Sequence, residues 1–321
     1  MQSVQRARRG ILVFIVALTA TTLASIWLRE RVTWPTLPTV AFPMLMTTLL
    51  SYSPAIASLI ARMSLAESIK DVSFRLRGNW TAQAMLIAWL WPVFCGLGTF
   101  GIAWAAGLTR FAWTSVDSGY GTWGPENLLG LSIAGVPILQ GFAIRLIACL
   151  FFAIPACLQS FGEELGWRGY LLTRLFDAKI PAPVCLSGLI WGLWHIPFFL
   201  AWEPSRSLPE RRSISLFFFV AGTVALAYLL GYLRLRSGSI WPAVLAHASG
   251  NTILRWAFDG FTVANQFWKG ELYLLSTGLP VLIILLVRPP WTIRYCPSHG
   301  NDSGSLAHSR PPVDLARTNL S

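Results

Sequence analysis

Residues 142–169 read FAIRLIACLFFAIPACLQSFGEELGWRG. This stretch changes from mostly apolar to charged near its end. Residues 142–161 are predominantly apolar, and a helix of about 20 such residues can cross a bilayer. Three charged residues then follow within a short distance: Glu163, Glu164 and Arg168. Charged side chains are costly inside a membrane and usually mark functional sites there. The stretch therefore predicts a membrane-spanning helix that ends in a polar site.

The whole chain shares this apolar character. Of its 321 residues, 54% are hydrophobic and 12% are charged, whereas about 25% of the residues in a soluble domain are charged. The predicted fold is an all-α integral membrane protein with about eight transmembrane helices that enclose a polar cavity. The predicted spans are 11–28, 39–60, 82–107, 142–161, 183–202, 214–233, 239–257 and 272–287.

The distribution of basic residues predicts the orientation of these spans in the cell membrane. With both termini in the cytoplasm, the segments on that side hold 16 of the 25 lysines and arginines, as the positive-inside rule requires. The predicted organisation is a cytoplasmic N-terminus at 1–10 and a multi-span domain at 11–288, whose motif core is 142–257. The Pro-, Ser- and Arg-rich segment 289–321 is predicted to be a disordered cytoplasmic tail.

The net charge of +11 raises the question of an acidic partner. The basic residues are spread over short segments between apolar runs, which suits anionic lipid headgroups better than nucleic acid. Membrane lipids are therefore predicted partners and nucleic acid is not. The five cysteines have no metal-site spacing, and we interpret them as small buried apolar residues.

The spacing within GEELGWRG separates the two glutamates. On a helix, Glu164 and Arg168 are four residues apart with the acid first, which favours an ion pair. Glu163 points about 100° away from Glu164 and is expected to lack that partner, so it is available as a general base. The alternative is that the three charges mark a helix end, with Arg168 reaching the headgroups.

Two further polar groups lie inside predicted spans. WGLWHIPFF (191–199) contains His195 four residues after Trp191, and VLAHASGN (244–251) contains His247 four residues before Asn251. Either histidine could be an ordinary core residue, and interhelical hydrogen bonding could explain Asn251. Together with Glu163, however, these side chains could activate a water molecule and stabilise an oxyanion, as hydrolysis requires.

These three motifs resemble those of the CAAX prenyl protease type II family, also called the CPBP intramembrane proteases (Abi-like). EELGWR fits its EExxxR motif, HASGN fits HxxxN, and WGLWH fits an aromatic residue followed by xxxH, with Trp191 where Phe is usual. The resemblance implies an intramembrane endopeptidase acting on a membrane-associated or lipidated protein. Eukaryotic members remove the last three residues of prenylated CAAX proteins, and bacterial relatives include proteins of bacteriocin immunity.

Carried over by motif, the resemblance implies a role for each residue. Glu163 and His195 would activate the water, His247 and Asn251 would hold the oxyanion, and Glu164 with Arg168 would support the structure. The family has been described both as metalloproteases and as metal-free glutamate proteases. Zinc or another divalent metal would be held by Glu163, His195 and His247. We favour the metal-free mechanism, because asparagine is a poor zinc ligand and the chain has no HExxH motif.

Two other function classes remain open at this stage. Intramembrane Glu and His also build the proton relays of proton-coupled transporters, although the chain shows no repeated half with matched broken helices. A non-catalytic membrane scaffold or a bacteriocin-immunity-type protein is the other alternative. Cleavage that depends on Glu163 would separate the peptidase from both.

Overall fold

The computed structural model describes residues 2–31, 47–76, 79–111, 136–197, 209–258, 261–263 and 266–287. The predicted tail 289–321 lies outside these residues, as do parts of the predicted spans 39–60 and 183–202. The described helices are α1 (Gln2–Arg31), α2 (Ser53–Ser64), α3 (Asn79–Ala105), α4 (Ile138–Gly166), α5 (Leu172–Asp177), α6 (Pro183–Trp194), α7 (Pro209–Ser237), α8 (Trp241–Ser249) and α9 (Gln266–Val287).

Three short elements lie between the helices of the described chain. Lys70–Val72 forms a 3₁₀ turn, and β1 (Thr109–Phe111) pairs antiparallel with β2 (Phe261–Val263). Two helices also widen into π-helical segments, in which each hydrogen-bonded turn contains one extra residue. The first, Trp167–Leu171, joins α4 to α5, and the second, Gly250–Ala257, follows α8 directly.

The all-α membrane class predicted from the sequence is confirmed. Within the described residues, four helical segments are long and apolar enough to cross a membrane: Ser3–Leu28, Trp80–Ala105, Ile138–Asp177 and Leu216–Ser237. Pro183–Trp194 and Leu272–Val281 are shorter apolar helices. α1 begins upstream of the predicted boundary at residue 11. Large apolar side chains such as Phe94, Ile102 and Leu139 are more than half exposed, as expected of surfaces that face lipid.

The short helix α8 lies at the centre of the bundle. It packs against α3, α4 and α7, and every residue from Pro242 to Ser249 is buried. α7 packs against α6 and α9, and α2 packs against α1 and α4. α8 is therefore a core helix enclosed by longer ones, and a polar side chain on it has protein neighbours on all sides.

Pairs of glycines let the helices that carry two of the motifs approach their neighbours closely. Gly162 and Gly166 flank the two glutamates, and a Cβ on Gly166 would lie 2.4 Å from Cβ of Pro54 in α2. On α6, a Cβ on Gly188 would lie 2.7 Å from Cβ of Ala227 in α7, and Gly192 packs against the same helix. Small residues four apart are a common helix–helix contact in membranes.

A cluster of buried charges closes the loop that follows α2. Arg62 donates to Asp71 at 2.7 Å, and Arg174 contacts Glu67 at 2.9 Å and Asp71 at 3.0 Å. Arg234 of α7 donates to the backbone carbonyl of Asp71 at 2.7 Å. We call Arg62, Glu67, Asp71, Arg174 and Arg234 the arginine cluster. Its three arginines are among the 16 basic residues that the sequence analysis assigned to the cytoplasmic side, and all three are buried.

Candidate active site

The two adjacent glutamates lie at the last turn of α4, where α2 packs against one side of the helix through the glycine pair. Glu163 and Glu164 therefore face the other neighbours of α4. Both are buried, with relative exposures of 7% and 0%. The widening at Trp167–Leu171 follows at once, and such π segments occur frequently at functional sites.

Glu163 has a partner that the sequence did not indicate. The indole Nε1–H of Trp191 on α6 donates to Oε2 of Glu163 at 2.8 Å. Glu163 was expected to lack an ion-pair partner, and the structure gives it a neutral donor from another helix instead. The other carboxylate oxygen, Oε1, accepts no hydrogen bond from the described part of the chain. One oxygen of Glu163 is therefore held, and the second is available for chemistry.

Glu164 forms the predicted ion pair and a second contact. Nη1 of Arg168 donates to Oε1 of Glu164 at 2.8 Å, with both side chains almost fully buried. The same oxygen lies 2.8 Å from Nδ1 of His247 on α8. An acceptor on Nδ1 selects the tautomer and the ring orientation of a histidine. Glu164 therefore joins α4 to α8 and orients His247.

His195 lies at the C-cap of α6, immediately after the last helical residue, Trp194. Its Nδ1 lies 2.9 Å from the carbonyl oxygen of Trp191, so Nδ1 carries the proton and donates. In the neutral ring Nε2 is then the proton acceptor. Trp194 and Phe219 meet the imidazole edge-to-face, with centroid distances of 4.8 and 5.0 Å. The ring is consequently fixed among aromatic neighbours.

His247 and Asn251 differ in environment. His247 is 3% exposed, whereas Asn251, the second residue of the π segment Gly250–Ala257, is exposed. Trp91 of α3 supports the transition from α8 to this segment by donating to the carbonyl of Ala246 at 3.0 Å. The structure thus places the amide one turn beyond the imidazole, on a more open side.

Two residues of this region were missed by sequence reasoning. Trp191 was treated only as the aromatic position of a motif, although its N–H contacts Glu163. Arg255 is a charged residue within the predicted span 239–257, which was the signal that could have identified it. It is exposed one turn after Asn251.

The three residues considered for a metal do not converge in the described chain. No group of three His, Cys, Asp or Glu side chains among the described residues could hold a metal ion. A catalytic zinc site uses three protein ligands around one point. The arrangement among the described residues therefore does not fit such a site.

The fold and the site together define an all-helical membrane protein with a buried Glu–Arg–His network where α4, α6 and α8 meet. Residues 145–253 match the family described as type II CAAX prenyl endopeptidase Rce1-like. This segment contains all three motifs, so the resemblance to CAAX prenyl proteases of type II is confirmed. The comparison with curated proteins gave no match.

Proposed function

We propose that the chain is an intramembrane endopeptidase of the CAAX type that uses Glu163 and His195 to activate water. The observation that carries the proposal is the buried carboxylate of Glu163, which lies in a candidate membrane span and has one oxygen without a hydrogen-bond partner among the described residues. The residue that holds its other oxygen, Trp191, also binds Nδ1 of His195 through its carbonyl. The family match over 145–253 supports a peptidase.

In this mechanism the carboxylate of Glu163 takes a proton from a water molecule, and His195 is the second group on that water. The water oxygen adds to the scissile carbonyl carbon, and the carbonyl electron pair moves onto its oxygen. Asn251 and His247, the latter in its doubly protonated form, donate to this oxyanion. Its collapse breaks the C–N bond, and the proton held by Glu163 passes to the leaving amine.

Glu164 and Arg168 have supporting roles in this proposal. Oε1 of Glu164 accepts from Nδ1 of His247, so Nε2 is the nitrogen that donates to the oxyanion when the ring carries both protons. Arg168 compensates the buried charge of Glu164 from the same helix at 2.8 Å. Removal of either residue is expected to disturb His247 as well as the fold.

We infer that the substrate is a membrane-associated or lipidated protein and that the chain works within the cell membrane among its lipids. The exposed apolar faces of the candidate spans support contact with lipid. All eight predicted segments are proposed to cross the bilayer within a domain at 11–288, enclosing a polar cavity with both termini cytoplasmic. A reporter fused after Arg310 that is active only outside the cytoplasm would contradict this orientation.

The function is tested with purified protein in lipid nanodiscs and a library of lipid-anchored peptides. Glu163→Gln should lower cleavage by at least ~10²-fold, the usual effect of losing a general base. Glu67→Gln is the matched control, because it also neutralises a largely buried carboxylate, which is paired with Arg174 at 2.9 Å. The control should retain cleavage at temperatures where it is folded.

The peptidase proposal fails if no peptide in the library is cut in a manner that depends on Glu163. Proton-coupled uptake into liposomes that is lost in Glu163→Gln would then favour the transporter alternative. The substrate itself is sought by co-purification with Glu163→Gln protein, which should retain bound peptide that the active chain releases.

A further inference from the structure

Trp191 connects the three motifs of the site. Its Nε1–H donates to Oε2 of Glu163 at 2.8 Å, and its backbone carbonyl lies 2.9 Å from Nδ1 of His195. Its ring meets the ring of His247 edge-to-face at a centroid distance of 5.1 Å. The guanidinium carbon of Arg168 lies 4.3 Å from the centre of the same ring. One side chain on α6 thus contacts residues from both other motif helices.

The direction of the bond to Glu163 is unambiguous. An indole nitrogen can only donate, so an oxygen of Glu163 must accept. Both partners are buried, with Trp191 only 3% exposed, and a buried hydrogen bond is expensive to lose. The bond is also charge-assisted when the carboxylate is ionised, which makes it stronger than a bond between neutral groups.

The position of Trp191 is itself fixed from two directions. On one side, Arg168 lies over the indole ring at cation–π distance and is held by Glu164. On the backbone side, the Gly188 and Gly192 pair brings α6 close to α7. The indole N–H therefore has little freedom to move away from Glu163.

We propose that Trp191 is a positioning residue that fixes the carboxylate of Glu163 through its indole N–H. By holding Oε2, it turns Oε1 toward the water that Glu163 activates. The proposal rests on the proposed function for its effect on activity. A phenylalanine, which is usual at this position of the resembled motif, could keep the ring contacts but could not donate this hydrogen bond.

The test compares Trp191→Phe with Trp89→Phe. Trp89 on α3 also donates through its indole, to the carbonyl of Leu150 at 2.9 Å, but it does not contact Glu163. Trp191→Phe should lower kcat about tenfold or more, the effect of losing a hydrogen bond to a charged group. KM should stay within about twofold, because the ring remains. Trp89→Phe should leave kcat unchanged.

A second measurement is independent of activity. In protein labelled with ¹⁵N-tryptophan, the 16 indole N–H resonances are compared between the unmodified chain and Glu163→Gln. One resonance should move markedly, and it should be the one that is absent from Trp191→Phe. Glu67→Gln, which lies in the arginine cluster, should leave this resonance in place.

The possible outcomes separate the positioning role from the proposed function. If Trp191→Phe keeps full kcat, or loses it only in proportion to its melting temperature, the positioning role is wrong. The positioning role is also wrong if no indole resonance moves in Glu163→Gln. This comparison can be made even when Trp191→Phe does not fold. If Glu163→Gln remains fully active while the resonance moves, the contact is real but the proposed function fails.

Discussion

Oε1 of Glu164 lies 2.8 Å from Nδ1 of His247, although the two residues are 83 positions apart in sequence. The same oxygen accepts from Arg168 within its own helix. A single buried atom therefore receives a permanent cation and an imidazole from the central helix α8. The stability of this region and the orientation of His247 depend on the same carboxylate.

Replacing Glu164 should therefore destabilise the protein. Glu164→Gln leaves Arg168 buried without a counter-charge, and breaking a buried pair in this way costs about 3–5 kcal/mol. Glu163→Gln, in contrast, keeps an oxygen that can accept the N–H of Trp191 and should leave the melting temperature nearly unchanged. Thermal unfolding of both variants in detergent measures the difference. An unstable Glu163→Gln beside a stable Glu164→Gln would reverse the roles assigned here.

Removing both charges of the pair should separate its structural contribution from its effect on His247. In Glu164→Gln/Arg168→Met no buried cation is stranded, so much of the lost stability should return. Cleavage should remain low, because His247 no longer has a carboxylate on Nδ1. Unfolding and peptide turnover are measured on the same preparation. Recovery of activity together with stability would show that the contact with His247 does not matter for the reaction.

Gly166, which lies between the two glutamates and the π segment Trp167–Leu171, should tolerate no side chain. A Cβ on Gly166 would lie 2.6 Å from the backbone carbonyl carbon of Pro54, so Gly166→Ala must push α2 and α4 apart. We expect a loss of about 1–3 kcal/mol, typical of overpacking, with reduced cleavage. Gly101→Ala on α3 is the control, since a Cβ there meets nothing within 4 Å. Equal melting temperatures would contradict the close approach.

Activity should survive the removal of divalent metals. No group of three His, Cys, Asp or Glu side chains among the described residues could hold a metal ion. We therefore expect full cleavage after treatment with EDTA or phenanthroline and substoichiometric zinc by elemental analysis of the active protein. Stoichiometric zinc that is lost together with activity, and that restores activity when added back, would overturn the metal-free mechanism.

Contacts between residues close together in the sequence could be predicted, whereas contacts between different helices could not. The ion pair between Glu164 and Arg168 was predicted because four-residue spacing on one helix is a local property. The contacts of Trp191 with Glu163 and of His247 with Glu164 join different helices, and spacing within a motif says nothing about such partners. The motifs therefore named the candidate residues but not which carboxylate contacts which histidine.

Two structural features could not be predicted from the sequence for other physical reasons. The spacing of residues 250–257 gives no sign that the helix widens to a π-helix there. Arg62, Arg174 and Arg234 follow apolar runs and look like loop charges, yet they are buried against Asp71 and Glu67. Hydropathy cannot distinguish an arginine that faces lipid headgroups from one that is buried beside a carboxylate of the protein.

The contacts of the arginine cluster can form only in the order in which its residues are synthesised. Its members leave the ribosome in sequence, with Arg62, Glu67 and Asp71 first, Arg174 about a hundred residues later and Arg234 last. Until Arg234 has been synthesised, the loop after α2 lacks the donor that holds the carbonyl of Asp71. Chains arrested before that point should therefore expose this loop to added protease, and protection should appear only when α7 has been inserted.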